Sequence, residues 1–203
     1  MNEPAKLAVL VSGGGTNLQA LLDAQEKGTL KSGRITLVVS NNPDAYALKR
    51  AALAGVKTAV VTRKAFGEGF EREISRVLRS DGVELVILAG FMAILGRGFT
   101  DEWRDRIINV HPSLIPSFCG KGYYGLKVHE EALKKGVKVT GATVHFVNEV
   151  PDGGKIIMQK AVKVLDGDTP ERLQKRVMRQ AEWKILPAAA ELISERILKS
   201  RGE

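Results

Sequence analysis

The stretch Lys6-Leu7-Ala8-Val9-Leu10-Val11-Ser12-Gly13-Gly14-Gly15-Thr16-Asn17-Leu18-Gln19-Ala20-Leu21-Leu22 decides the fold. Residues 7–11 are a continuous apolar run of strand length, bounded by a turn signal, which reads as a strand buried on both faces. Three glycines end it, and Leu18, Leu21 and Leu22 then recur at helical spacing. A buried strand, a glycine turn and a helix are the opening of a βαβ unit. Outward from it the pattern repeats. Ile35 to Val39 reads as a strand and is followed by the turn Asn41-Asn42-Pro43. Ala45 to Ala54 reads as a helix, Thr58 to Thr62 as a strand, Phe70 to Leu78 as a helix and Leu85 to Ala89 as the most apolar strand. Runs of this kind belong to a parallel sheet covered by helices.

After Ile107-Ile108-Asn109-Val110 the pattern changes. Ala142 to Val147 and Lys155 to Val164 are the next strand candidates, the second alternating as a half-exposed strand does. A long helix from about Pro170 to Leu198 closes the chain, with Pro170 in its first turn, where proline is tolerated. Pro187 is expected to kink or split that helix. The expected class is therefore α/β: a Rossmann-like, mostly parallel sheet with helices on both faces and a long C-terminal helix. One domain is expected over residues 1–203, with a phosphate-binding front half (about 1–100) and a different back half (about 101–203).

The 203 residues carry a formal net charge of +8, with 44% hydrophobic and 27% charged residues, an ordinary globular balance. Excess positive charge suits nucleic acid or small anionic ligands. Aromatics are only 5% and do not interleave with the basic clusters, so nucleic acid is not expected. The single cysteine, Cys119, excludes an internal disulfide and fits a reducing compartment. The apolar run at 7–11 is too short for a signal peptide or a membrane span, so a cytoplasmic protein with no membrane partner is expected.

At Ser12 to Asn17 glycines would let the backbone approach a ligand, and free N–H groups at the helix start would face an anion. The spacing fits neither the dinucleotide fingerprint nor a P-loop, which points to a mononucleotide or sugar phosphate. A tight turn without ligand is the other reading. Asn109 and His111 flank Val110, so strand alternation puts both side chains on one face, and Pro112 stops the strand. Ligands of open α/β sheets bind beyond the carboxyl ends of strands. There an amide could donate to an oxyanion and an imidazole could pass protons, although a strand cap and a packed ring explain the pair as well. His129, at a helix start beside Glu130 and Glu131, reads as a surface residue. His145, inside a strand, reads as a satisfied core histidine. No histidines share metal-ligand spacing, and no metal is expected. Asp152, before Gly153-Gly154, is first of all a turn signal.

Taken together, Val-Ser-Gly-Gly-Gly-Thr-Asn-Leu-Gln (11–19), Leu-Ala-Gly-Phe-Met-Ala-Ile-Leu (88–95), Ile-Asn-Val-His-Pro-Ser-Leu-Ile-Pro (108–116), Gly-Ala-Thr-Val-His-Phe-Val (141–147) and Asp-Gly-Gly (152–154) resemble the phosphoribosylglycinamide formyltransferase family over nearly the whole chain. The resemblance implies 10-formyltetrahydrofolate as formyl donor and glycinamide ribonucleotide, a step of purine synthesis, as acceptor. It implies Asn109, His111 and Asp152 as the catalytic trio, with His111 protonated in the tetrahedral intermediate. It implies Gly15, Thr16 and Asn17 around the ribonucleotide phosphate. Met92, Ala93, Ile94, Leu95 and Asn109 would bind the folate, with the loop Asn148, Glu149, Val150, Pro151 and Asp152. Arg179, Gln180, Ala181 and Glu182 would lie near the acceptor's amine and ribose. A monomer or homodimer acting on small molecules is expected. Four features depart from the family pattern. No arginine follows Phe66 in the short stretch Gly67-Glu68-Gly69-Phe70; Cys119 and Lys155 stand where proline is frequent; and the segment before Glu182 is one residue longer.

Overall fold

The computed structural model describes residues 3–202. One seven-stranded sheet runs through it, in the order β3-β2-β1-β4-β5-β6-β7. The strands are β1 (Ala5–Val11), β2 (Gly33–Ser40), β3 (Lys57–Val60), β4 (Leu85–Leu88), β5 (Ile107–His111), β6 (Val139–Phe146) and β7 (Ile156–Lys163). The first five are parallel, β6 runs antiparallel to β5, and β7 antiparallel to β6. The eight helices among the described residues are α1 (Thr16–Glu26), α2 (Tyr46–Leu53), α3 (Arg63–Phe66), α4 (Phe70–Asp81), α5 (Arg97–Glu102), α6 (Leu126–Lys135), α7 (Pro170–Val177) and α8 (Trp183–Ser200).

The period of two along β1 assigns its side chains to two layers. Leu7, Val9 and Val11 pack with Leu18 and Leu21 of α1 and with Leu186, Ala189 and Ile193 of α8. Ala8 and Leu10 pack on the opposite face with Phe70, Ile74 and Leu78 of α4 and with Trp103. A strand covered on both sides has no polar face, which is why the opening run lacks alternation. The α/β reading therefore holds, with strand ends moved by one to three residues and with two short helices, α3 and α5, that the periodicity missed.

The C-terminal helix departs from expectation. It divides at Met178–Glu182, a π-helical turn between α7 and α8, and Pro187 sits inside α8 beyond the break. A π turn holds one residue more than an α turn. The interruption lies ahead of the proline, and α8 accommodates Pro187 as a buried residue.

The chain leaves β1 toward β2 and β3, then crosses back to β4. That reversal opens a crevice beyond the carboxyl ends of β1 and β4. The Ser12 hydroxyl closes its floor by accepting from the Met92 N–H at 2.8 Å.

Candidate active site

Register brings the polar residues together. Asn109 of β5 lies directly opposite His145 of β6. His145 Nδ1 is 2.7 Å from the Phe146 carbonyl, which can only accept, so Nδ1 carries a hydrogen. Asn109 Nδ2 lies 3.2 Å from its other ring nitrogen, Nε2. The amide has a second hydrogen, which remains for a ligand. His111 is fixed in the same manner, with Nε2 donating to the Phe118 carbonyl at 2.8 Å. Its other nitrogen, Nδ1, lies 3.4 Å from Asp152 Oδ2.

Asp152 sits at φ 57°, in the left-handed region that aspartate tolerates in turns. Gly154 follows because any Cβ there would lie 1.7 Å from the Phe146 carbonyl oxygen. The turn carries the carboxylate back over the sheet, where Oδ2 accepts the Gly120 N–H at 2.8 Å and Oδ1 lies 3.5 Å from His145 Nε2. Burial raises the Asp152 pKa, but His145, the His111 ring and the Gly120 N–H together outweigh it and hold the carboxyl below the usual carboxylate range. Asp152 is thus ionised at neutral pH.

His111 is held the other way in the free protein. Burial lowers its pKa more than Asp152 and the Phe118 carbonyl raise it, and His145 adds to the lowering. The imidazole is therefore neutral at pH 7 in the free protein, not protonated. The nearby carboxylate is real, but the desolvation of a ring only 4% exposed is the stronger effect.

A cavity of about 620 Å³ opens over this cluster. Asn109, His111, Asp152, Asn17 and Glu182 all line it. Glu182, at the end of the π turn, is 6% exposed and accepts from Asn17 Nδ2 at 2.7 Å. Burial pushes its carboxyl up to about 7, against the pull of that hydrogen bond. The folate candidates converge on the same region. Met92, Ala93, Ile94 and Pro151 line the cavity, and a connected recess takes Ala93, Ile94, Leu95, Asn148, Glu149, Val150 and Pro151 together with Asn109 and Asp152. Met92, Ile94 and Val150 leave large apolar side chains exposed there, whereas Leu95 is buried. The arginine missing after Phe66 has a neighbour ahead of it: Arg63 donates to the Ile94 carbonyl at 3.3 Å.

Two groups of candidates divide. Gly15 N-caps α1 at φ 72°, where a Cβ would meet Ala47 Cβ at 2.6 Å. No side chain caps that helix and no acidic residue stands in its first turn, so its first N–H groups remain available to an anion. Successive helical residues diverge by about 100°. Asn17 accordingly reaches Glu182, while Thr16 lines a separate groove. Likewise, of Arg179, Gln180, Ala181 and Glu182, only Glu182 lines the cavity. Arg179 borders the groove, Gln180 is exposed and Ala181 is core.

His129 is the clearest correction, since it is fully buried in α6, lines the cavity and has no partner for either ring nitrogen. Val128, His129 and Ala132 form the inward stripe of α6, while Lys127 and Glu130 face out. Burial, with a contribution from His111, lowers its pKa to about 4. The unfolded chain takes up this proton near 6.5 and the folded chain only near 4, so stability is lost as pH falls through that window. His129→Leu is expected to stabilise the protein by about 2 kcal/mol at pH 5, with the gain shrinking toward pH 8. Urea unfolding across that range checks it, and a pH-independent gain would refute it.

His145 was legible as buried, but its place beside Asn109 and Asp152 was not. Among the described residues no group of three or more potential ligands is arranged to hold a metal ion, and no helix is long and apolar enough to cross a membrane.

Residues 5–190 match the Formyl transferase family. The trifunctional purine biosynthetic protein adenosine-3 of Gallus gallus is 46% identical over 191 residues, 93% of this chain but 18% of that protein, so the chain spans under a fifth of that relative. The phosphoribosylglycinamide formyltransferase of Haemophilus influenzae is 41% identical over 192 residues, 94% of this chain and 87% of the relative. The crystal structure of glycinamide ribonucleotide transformylase 1 from Symbiobacterium toebii superposes with a TM-score of 0.89 at 41% identity, covering 96% of this chain and 90% of that one. With residues 5–190 matched and most of its length superposed on a solved relative, the chain belongs to the formyl transferase family.

Proposed function

We propose that the protein transfers a formyl group from 10-formyltetrahydrofolate to the amine of N1-(5-phospho-D-ribosyl)glycinamide. One observation carries the reading: Asn109, His111, Asp152 and Glu182 converge on a single cavity between apolar exposed residues and the uncapped start of α1. The names of the Haemophilus influenzae and Symbiobacterium toebii relatives support the acceptor. Exposed Met92, Ile94 and Val150 suit a flat heteroaromatic donor. The N–H groups of residues 16–18 suit the acceptor's phosphate.

When the acceptor's amine attacks the formyl carbon, negative charge develops on the formyl oxygen. Asn109 donates its free amide hydrogen to it. His111, neutral beforehand, takes up the proton released by the attacking nitrogen. Asp152 stabilises the imidazolium, whose charge also opposes the oxyanion. The imidazolium then returns a proton to the departing folate nitrogen. Glu182, held by Asn17, accepts a hydrogen bond from the acceptor.

The test is the pterin absorbance change on mixing donor and protein, with and without acceptor. We expect the change to require the acceptor, and the KM of the dephosphorylated acceptor to be about tenfold or more higher, as loss of charge-assisted contacts to the phosphate demands. An acceptor-independent signal would refute transfer, and equal KM values would refute the phosphate site.

A further inference from the structure

A second cavity, of about 750 Å³, lies between α1 and α8, on the side of α1 turned away from Asn17. It exists because the facing residues are short: Ala20 and Ala24 on one helix, Pro187 and Ala188 on the other, with Trp183 at one side. Four cations surround this apolar floor: Lys27, Arg50, Arg179 and Lys184. None of them forms an ion pair among the described residues. The two carboxylates of the lining are engaged elsewhere. Glu191 accepts the Lys31 and Ser32 N–H groups and the Ser32 hydroxyl, and Asp23 accepts from Gln19. The lining thus carries an excess of positive charge, four cations against two carboxylates, beside an apolar surface. The Trp183 indole N–H, moreover, is buried without an acceptor, which is uncommon in a folded protein.

We propose that this groove is a second ligand site, taking an organic anion built of a planar ring and a phosphate or carboxylate. The ring lies along Trp183 and the alanine–proline floor, and the anion sits among Lys27, Arg179 and Lys184. Arg50 donates from Nε to the Gly14 carbonyl at 2.8 Å, and Arg179 and Trp183 flank Glu182 in sequence. An occupant therefore touches both elements that carry the candidate acceptor site. The proposal stands independently of the formyl-transfer reading, because its readout is binding alone.

The probe is adenosine 5′-monophosphate, titrated calorimetrically into the full chain, with adenosine and inorganic phosphate as controls. Two variants place it: the double charge reversal Lys27→Glu/Lys184→Glu, and Ala188→Trp, which fills the groove. All three positions are solvent-exposed, and thermal unfolding verifies that the variants fold. We expect one saturable site, weakened about tenfold or more by the charge reversals, since two favourable charge contacts become repulsive. Binding should be abolished by Ala188→Trp, and adenosine and phosphate should each bind more weakly than the nucleotide. The proposal is overturned if the nucleotide does not saturate, or if phosphate alone binds equally well. It is also overturned if both variants bind like wild type, which would assign the nucleotide to the glycine loop.

Discussion

Asp152→Asn is expected to lower kcat by about 10²–10⁴-fold, the range for removing a positioned acid–base partner. The substitution keeps the shape and the acceptor oxygen for the Gly120 N–H, but removes the negative charge 3.4 Å from His111 Nδ1. That charge is the main influence raising the His111 pKa against burial. Without it the imidazolium that must form during transfer lies in a buried site with nothing to balance it. The acceptor's KM should change little, because Asp152 is remote in the chain from the loop at 12–17 and makes no contact with it. Steady-state kinetics with a circular-dichroism check of folding decide the matter. A kcat close to wild type would remove Asp152 from the chemistry.

The second large effect is on stability. Glu182 is buried beside Asn17, and its carboxyl is pushed up to about 7 from the ordinary 4.5 of a glutamate. Between those values the folded chain keeps a proton that the unfolded chain has released, so stability falls as pH rises through the window and is lowest above it. The difference corresponds to about 3 kcal/mol at pH 8. Glu182→Gln has no such titration. Its stability advantage over wild type should be small near pH 5 and grow to that magnitude by pH 8, read from urea midpoints. An advantage constant from pH 5 to 8 would show that Glu182 ionises like an exposed carboxylate. The stability given up at Glu182 is consistent with a group kept for ligand contact.

The parts of the molecule that could be read from residues alone are those set by local periodicity. The run at 7–11 and the leucines of α1 define their own faces, and Asn109 and His111 share one because they are two apart on a strand. What could not be read depends on pairing across distance. Asp152 reads as a turn residue and does adopt turn geometry; its place depends on Gly120 and two histidines, 7 to 41 residues away in sequence, and only the resemblance to a family joined it to Asn109 and His111. His145 was read as core, correctly for burial, but its opposition to Asn109 requires the antiparallel register of β6. His129 was misread because charged neighbours suggested a surface, whereas the apolar residues Val128 and Ala132 set the inward phase of α6. Thr16 and Arg179 were grouped with Asn17 and Glu182 by adjacency, and helical rotation separates them.

The hydrogen bond from Asn17 to Glu182 joins positions 165 residues apart. It links the first helix of the chain to the turn that precedes its last one. Contacts of such long range are the slowest to form, because loop closure must precede them. The pair therefore reports whether the segments around residues 17 and 182 have come together, because neither side chain has this partner until both are in place.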